Sequence, residues 1–298
     1  MSDMPTDTSA GAEAAPTWLS VHVHAHSDLD RHLGHLAGLL HRTAAGTGAR
    51  AWFFLRYWES GPHVRLRALC PSAGQWERAR SELSAAAERW ARENPEHRPL
   101  TDAEYTETSA WILRRETTGA PAAPLLPSRT VRVEPFSGAW MPDAPACTEQ
   151  PETLAFLTAS STVALRLHRD HDWQARARHA VDVLRALLAA PAQPVPPPAG
   201  PGTPPLTDAF AQWAERLAGT ETPEVRRRSS LALAAAWPPP SRAGVAMATR
   251  CLAVLSPGSS ARPLLHAWHT HCNRLGLNLL EEAAAAWTAL ALTAEVRG

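Results

Sequence analysis

The chain has 298 residues, 45% of them hydrophobic, with 29 acidic and 29 basic side chains and no net charge. That length and apolar content suit one large domain or two small ones and argue against global disorder, while the charge balance argues against a general nucleic-acid binder. The basic residues are all arginine, which excludes a lysine Schiff base, lysine-anchored pyridoxal phosphate chemistry and a P-loop.

Residues 1–16 are small and polar and read as a disordered tail. The chain carries no signal-peptide core and no run of about 18 apolar residues, so a cytoplasmic protein without a membrane partner is expected. "WLSVHVHAH" (18–26) alternates Leu19, Val21 and Val23 with Ser20, His22 and His24, the period of a strand. Ser27 is placed to cap a helix whose apolar stripe is Leu29, Leu33, Leu36 and Leu40. Two strands, 51–58 and 62–69, follow around a short "ESGP" turn, and the second sets His63, Arg65 and Arg67 on one face. A helix with Trp76, Ala79, Leu83 and Trp90 on one side comes next, then a looser segment and a strand at "TVRVEPF" (130–136). The order β-α-β-β-α-β is the split βαβ, ferredoxin-like pattern, here expected as a mixed β-sheet.

The second half reads as helices: 152–168, and 172–190 with Trp173, Ala177, Ala180, Leu184 and Leu187 on its apolar side. A Pro/Gly-rich loop (191–205) separates them from shorter helices at 207–219, 224–236 and 242–255, interrupted by "WPPP" (237–240). Helices at 261–275 and 279–295 close the chain. The expected class is α+β, a ferredoxin-like body with a helical C-terminal half. After the tail, 17–298 is expected as a single domain, with a sheet part at 17–140 and a helical part at 150–298.

Chemistry concentrates in a few places. Cys70, Cys147, Cys251 and Cys272 show no CxxC spacing and read as reduced thiols, neither a disulfide framework nor a zinc site. In "RPLLHAWHTHCNRLGL" (262–277), Leu264, Trp268, His271 and Leu275 form the buried stripe of a helix, while His266, His269 and Asn273 group on the opposite side. That side is either a cleft wall or an ordinary solvated face. His266 and His269 have helical metal-ligand spacing but no carboxylate or cysteine to complete the set, and the face shared by His22, His24 and His26 of "HVHAH" resembles an ordinary polar sheet surface, so no metal is expected. His22 and His24 are expected to join His63, Arg65 and Arg67 on one polar sheet face. Such a face would suit a carboxylate or an acidic peptide, because arginine donates in pairs; a merely solvated face fits the pattern equally.

"WFFLRYWESGPHVRLR" (52–67) is similar to a signature of the C-terminal domain of lantibiotic dehydratases and of their stand-alone relatives in thiopeptide biosynthesis. "HTHCNRL" (269–275) resembles the closing motif of that family, and "FLTASSTVALRL" (156–167) resembles the helix between them. The resemblance runs in family order from about Trp18 to the C-terminus. It implies a ribosomally made precursor peptide with a leader segment as partner, with other enzymes of the same pathway as further partners, and no cofactor. It implies either of two reactions. One is formal [4+2] aza-cycloaddition of two dehydroalanines, giving a pyridine-type macrocycle with loss of water and leader. The other is elimination of glutamate from glutamylated Ser or Thr. A catalytically silent scaffold that escorts the precursor is the reading outside enzymes. Many eliminating relatives carry a sequence like E-x-E-R-Y-G-G after the fourth strand, whereas "VEPFSGAW" (133–140) keeps Glu134 and Gly138 but has Pro135 and Phe136 in place of Arg and Tyr. The lost arginine, and a chain that lacks a glutamylation domain, favour the cycloaddition. The expected catalytic residues are His269, Arg56 and Asn273, in one cleft between the sheet and the penultimate helix. His63, Arg65, Arg67, His22, His24, His266, and the motif residues Tyr57 and Arg274, are expected to bind substrate or leader.

Overall fold

The computed structural model describes residues 17–115, 123–136, 150–170, 172–190, 205–226, 237–254 and 262–297. The expected N-terminal tail, the Pro/Gly-rich stretch 191–204, residues 227–236 of one expected helix, residues 137–140 and Cys147 lie outside them. In chain order the elements are β1 (Thr17–His24), α1 (Leu29–Thr47), β2 (Ala51–Tyr57), β3 (His63–Cys70), α2 (Ala73–Glu93), α3 (Asp102–Leu113) and β4 (Val131–Val133). They are followed by α4 (Pro151–Arg169), α5 (Trp173–Ala189), α6 (Leu206–Ala218), α7 (Arg242–Ala253), α8 (Arg262–Leu275) and α9 (Leu279–Arg297).

The four strands lie in the order β2-β3-β1-β4. This is the ferredoxin-like arrangement, and the α+β class with a helical C-terminal half is as the pattern implied. The sheet expected as mixed is antiparallel at every pairing, because each strand's hydrogen-bonded neighbour runs against it. The "ESGP" turn closes the β2–β3 hairpin with Ser60 at φ 61° and Gly61 at φ 98°. A Cβ on Gly61 would meet Leu125 Cδ1 at 2.7 Å, so both the backbone and the packing require glycine there.

Three local expectations need correction. Ser27 does not cap α1. Asp28 stands at the N-cap without a side-chain bond, and Ser27 instead donates to Glu96. Trp173, expected on the apolar side of α5, is 55% exposed, since the first turn of that helix projects beyond the packed layer. The looser segment after α2 contains α3, which starts with a capping box: Thr101 and Glu104 each bond the other's backbone N–H.

One sheet face buries Leu19, Val21, Val23, Phe54, Val64 and Leu66 with Leu33, Leu36 and Leu40 of α1 and Ala79, Leu83 and Ala87 of α2. Each fully buried Leu, Val or Phe contributes about 1.5–3 kcal/mol relative to exposure. The helical half meets this body at the edge strand β2, against which α4 and α8 pack. On α8 the expected stripe is seen: Leu264, Trp268, His271 and Leu275 are buried, and His266, His269 and Asn273 less so.

Candidate active site

The second sheet face carries the polar residues. Register pairs His24 with His63, His22 with Arg65 and Ser20 with Arg67, and on the other side pairs Tyr57 with His63 and Phe53 with Arg67. Directly paired residues share a face, so His22, His24, Tyr57, His63, Arg65 and Arg67 stand together. The His63 ring stacks on His24 at 4.5 Å and on His22 at 5.2 Å between centroids. A carbonyl can only accept, so the 2.9 Å contact from His63 Nδ1 to Gly61 O places the proton on Nδ1. His63 Nε2 then accepts from Arg65 Nε at 3.0 Å. The Arg65 guanidinium lies 3.4 Å from the Tyr57 ring centre and pairs with Glu59 at 3.2 Å.

This face is not the solvated cationic surface that alternation suggested. His24, His63 and Arg67 are at most 4% exposed. Burial, reinforced by Arg65 and Arg67, pushes His22 down to about 3, and burial with His26 pushes His24 down to about 4. Burial also drives His63 well below the usual imidazole range. The histidines are therefore neutral at pH 7, and the positive charge on this face comes from arginine. Arg67 tolerates burial because its guanidinium sits 5.4 Å from the Phe53 ring centre and 4.6 Å from that of Phe136, and Ser20 Oγ accepts from its Nε at 3.5 Å. Desolvation lowers it to about 10.

The second group lies where α8 crosses β2. Asn273 acts like an additional strand residue: its Oδ1 accepts from Arg56 N–H at 2.8 Å and its Nδ2 donates to Arg56 O at 3.0 Å. The Arg56 side chain returns the contact, donating from Nε to Asn273 O at 2.9 Å, from Nη1 to Asp30 at 2.8 Å, and from Nη2 to Leu277 O. Gly276, at φ 84°, ends α8 in a Schellman motif, with Leu277 N–H donating to Cys272 O and Gly276 N–H to Asn273 O. The remaining terminal carbonyls are taken by His168 Nε2, which bonds Arg274 O at 2.8 Å, and by Arg176 Nη1, which bonds Leu275 O at 2.8 Å. Asn273 and Arg56 thus fasten the helix end to an edge strand whose backbone groups would otherwise lack partners. Asn273→Ala, by leaving the Arg56 N–H and C=O unpaired, is expected to cost about 2–6 kcal/mol, at about 1–3 kcal/mol for each unsatisfied group. A thermal melt unchanged from the parent would refute this clamp.

Arg274 has no exposed surface. Its Nε donates to Phe54 O at 3.0 Å and its Nη1 to Ser160 Oγ at 3.1 Å. Burial, with a smaller push from Arg67, lowers it to about 9. Ser160 also bonds His271 Nδ1 at 2.8 Å, so His271 belongs to the core. Arg67 and Arg274 both approach Phe53, Arg274 at 5.6 Å, and this joins the two groups of candidates. Among the described residues neither guanidinium has an acid partner, and Arg67 Nη1 and Arg274 Nη2 make no hydrogen bond.

His269 does not share the Arg56 contact. One turn before Asn273, its Nδ1 bonds Glu282 Oε2 at 2.8 Å, and Trp213 Nε1 donates to the same carboxylate at 2.8 Å. His266 lies 6.4 Å from His269 between ring centroids. Sequence reasoning passed over Glu282, Trp213, Ser160 and Asp30, since their roles arise from elements remote in the chain. An open cleft of about 670 Å³ is lined in part by His26, Leu100, Leu125 and Arg129, none of them in either group, though Arg129 N–H donates to His24 O at 2.8 Å. Of its two acids, Glu96 and Asp102, Glu96 is engaged internally: burial alone would raise it, but bonds from Ser128, Ser27 and His26 outweigh that and hold it at about 2. Among the described residues no group of three or more His, Cys, Asp or Glu side chains is placed to hold a metal ion, and no helix is long and apolar enough to cross a membrane.

The described chain thus sets a four-stranded antiparallel sheet with a buried histidine–arginine face against a helical half, fastened to it through the H-x-H-x-N-R-L segment of α8. The sequence matches the family "Lantibiotic biosynthesis dehydratase C-term" over residues 18–292, and the chain belongs to that family. Two solved structures share the fold. The pyridine synthase TbtD from thiomuracin biosynthesis aligns over 94% of this chain and 98% of its own, with TM-score 0.67 at 18% identity. The tRNA dependent lantibiotic dehydratase MibB from Microbispora sp. 107891 aligns over 99% of this chain and 29% of its own, with TM-score 0.53 at 19% identity. No curated protein sequence matches the chain.

Proposed function

We propose that this chain acts on a ribosomally made precursor peptide as a pyridine synthase. Two dehydroalanines of the peptide join in a formal [4+2] aza-cycloaddition, and loss of water and leader leaves a six-membered nitrogen ring. The observation that carries this reading is the correspondence with a pyridine synthase over nearly the whole of both chains. The site chemistry is compatible with it. The reaction needs a flexible peptide held in a reactive pose, with modest proton transfer, and neutral imidazoles beside fixed cations supply donors and acceptors for that. Phe136 supports the same direction: where eliminating relatives are expected to carry a tyrosine after an arginine, it lays an apolar ring over Arg67.

Glutamate elimination is the second reading, favoured by the buried Arg67 and Arg274, which have no acid partner among the described residues and would suit a substrate carboxylate. Mass spectrometry separates the two. A linear, azole-containing precursor with two dehydroalanines is expected to split into a leader fragment and a dehydrated pyridine macrocycle. Loss of glutamate from a glutamylated precursor, with the bis-dehydroalanine peptide untouched, would overturn the proposal in favour of elimination. Binding of the leader with neither conversion would point to a scaffold. We place an acidic part of the leader at Arg65, which is more exposed than its β3 neighbour Arg67. Loss of a charge-assisted contact there, worth about 1.5–3 kcal/mol when desolvated, should be visible as weaker binding of a labelled leader to Arg65→Ala by fluorescence polarisation.

A further inference from the structure

We infer that Glu282 and Trp213 are positioning residues for His269, forming a relay in which the carboxylate holds Nδ1–H and sets the tautomer and orientation of the ring. This rests on the reading of His269 as the acid–base group of the proposed reaction.

The relay is assembled from separate helices: Trp213 comes from α6, His269 from α8 and Glu282 from α9. Glu282 is 1% exposed, so its charge is held by donors and not by water. Both of its oxygens face the imidazole, with Oε2 at 2.8 Å and Oε1 at 3.0 Å from Nδ1. Oε1 also accepts from Trp213 Nε1 at 2.8 Å. A carboxylate accepts, so Nδ1 carries the proton. The Trp213 ring meets the imidazole edge-on, at 5.3 Å and 69°, and restrains its rotation from a second side. The His269 side chain keeps 16% of its surface exposed, enough to touch a bound peptide while its acid partner stays dry.

The surrounding charges are mixed. Arg216 of α6 lies 4.4 Å from the Trp213 ring centre, lowered by burial and by Arg262 of α8. His266 stands one turn before His269, and the Cys272 thiol behind Glu282 is raised well above its usual range by burial and by that carboxylate. Glu282 sets a carboxylate directly against His269 Nδ1. His63 and His271, buried without a carboxylate on either ring nitrogen, are driven to the neutral form. His269 differs from both in having a buried carboxylate on Nδ1.

The test is nitrogen-resolved NMR of the histidines in the full-length protein, with product formation followed by mass spectrometry across pH. The parent should show His269 as the Nδ1–H tautomer. Glu282→Gln should lower its titration midpoint by about one unit, a tenfold change in the protonation equilibrium, and move the acid limb of the rate profile with it. Trp213→Phe keeps the ring but removes a donor from the carboxylate. That concentrates the acceptor on Nδ1 and should move the midpoint upward. Glu282→Asp should restore part of the parent midpoint. Opposite shifts in two folded variants are not the signature of a packing defect. An Nε2–H tautomer in the parent, or a midpoint unmoved by both substitutions, would overturn the relay. Should Glu282→Gln fail to fold, the upward shift in Trp213→Phe decides alone. If the midpoints move as stated while the parent forms no pyridine, the relay stands and the proposed reaction falls.

Discussion

Acidification should begin to destabilise this protein before its carboxylates are protonated. His22 is held at about 3 and His24 and His168 at about 4, burial being the first cause in each case. Their unfolded value is about 6.5, so between that pH and about 3 the unfolded chain binds more protons than the folded one. The stability these neutral rings contribute is therefore complete above about pH 6.5 and is lost as pH falls toward 4 and then 3. At pH 5 a histidine held at 4 or below contributes a loss of about 2 kcal/mol. For the three together, halved because His22 keeps some contact with solvent, the expected loss is about 3 kcal/mol. At roughly 2–4 °C per kcal/mol for a chain of this size, Tm should drop by about 6–12 °C between pH 7.5 and pH 5. Glu96 adds a separate loss that begins near pH 4.5, where its carboxyl is protonated in the unfolded chain, and is complete near pH 2, where the folded one follows. Calorimetric scans across this range decide the matter. A Tm that stays level down to pH 4.5 would show that the His22–His63–His24 stack is hydrated in solution and has no part in holding the sheet.

His269→Ala should lower the rate of macrocycle formation by about 10²–10⁴-fold, the span of a positioned acid–base group, with leader binding unchanged. The tautomer of one dehydroalanine amide that enters the cycloaddition needs a proton moved, and the later loss of water and leader needs one delivered and one removed. The expectation separates His269 from its neighbours on α8. Asn273 bonds the backbone of Arg56, so its loss should appear first as instability. His271 is buried on Ser160, so its loss should open a core defect with any fall in rate following the fraction folded. Single-turnover conversion by mass spectrometry, with each variant's melting curve alongside, distinguishes these outcomes. A folded His269→Ala variant that converts substrate at the parent rate would remove His269 from the mechanism.

Much of the site was legible because the relevant signals are local. Strand alternation put His22, His24, His63, Arg65 and Arg67 on one face, and register then did the rest, since antiparallel partners directly opposite each other must point the same way. On α8 the 3.6-residue period separated His271 from His266 and His269, as burial bears out. Ser27 shows the limit of a local signal: its position suits a cap, but the Glu96 carboxylate, far along the chain, competes for it and holds its hydroxyl at 2.5 Å. β4 shows another. "TVRVEPF" alternates over its length, yet pairing covers only Val131–Val133 opposite β1. The helix α3 was missed because its capping box is local but its apolar stripe is weak, with only Tyr105 and Ser109 buried.

By itself, the sequence determined the α+β class, the β-α-β-β order, the family, and the residue types available to the site. These follow from periodicity, turn chemistry and motif spacing, each decided within a few residues of itself. Only the tertiary structure decided that the cationic face is buried, that its histidines are neutral, that Arg56 and Asn273 fasten α8 to β2, and that His269 meets Glu282. Those outcomes depend on the angles at which elements cross and on how much water they exclude. A titratable group takes its charge state from that surrounding dielectric and from charges distant in sequence, neither of which is encoded in its neighbours along the chain.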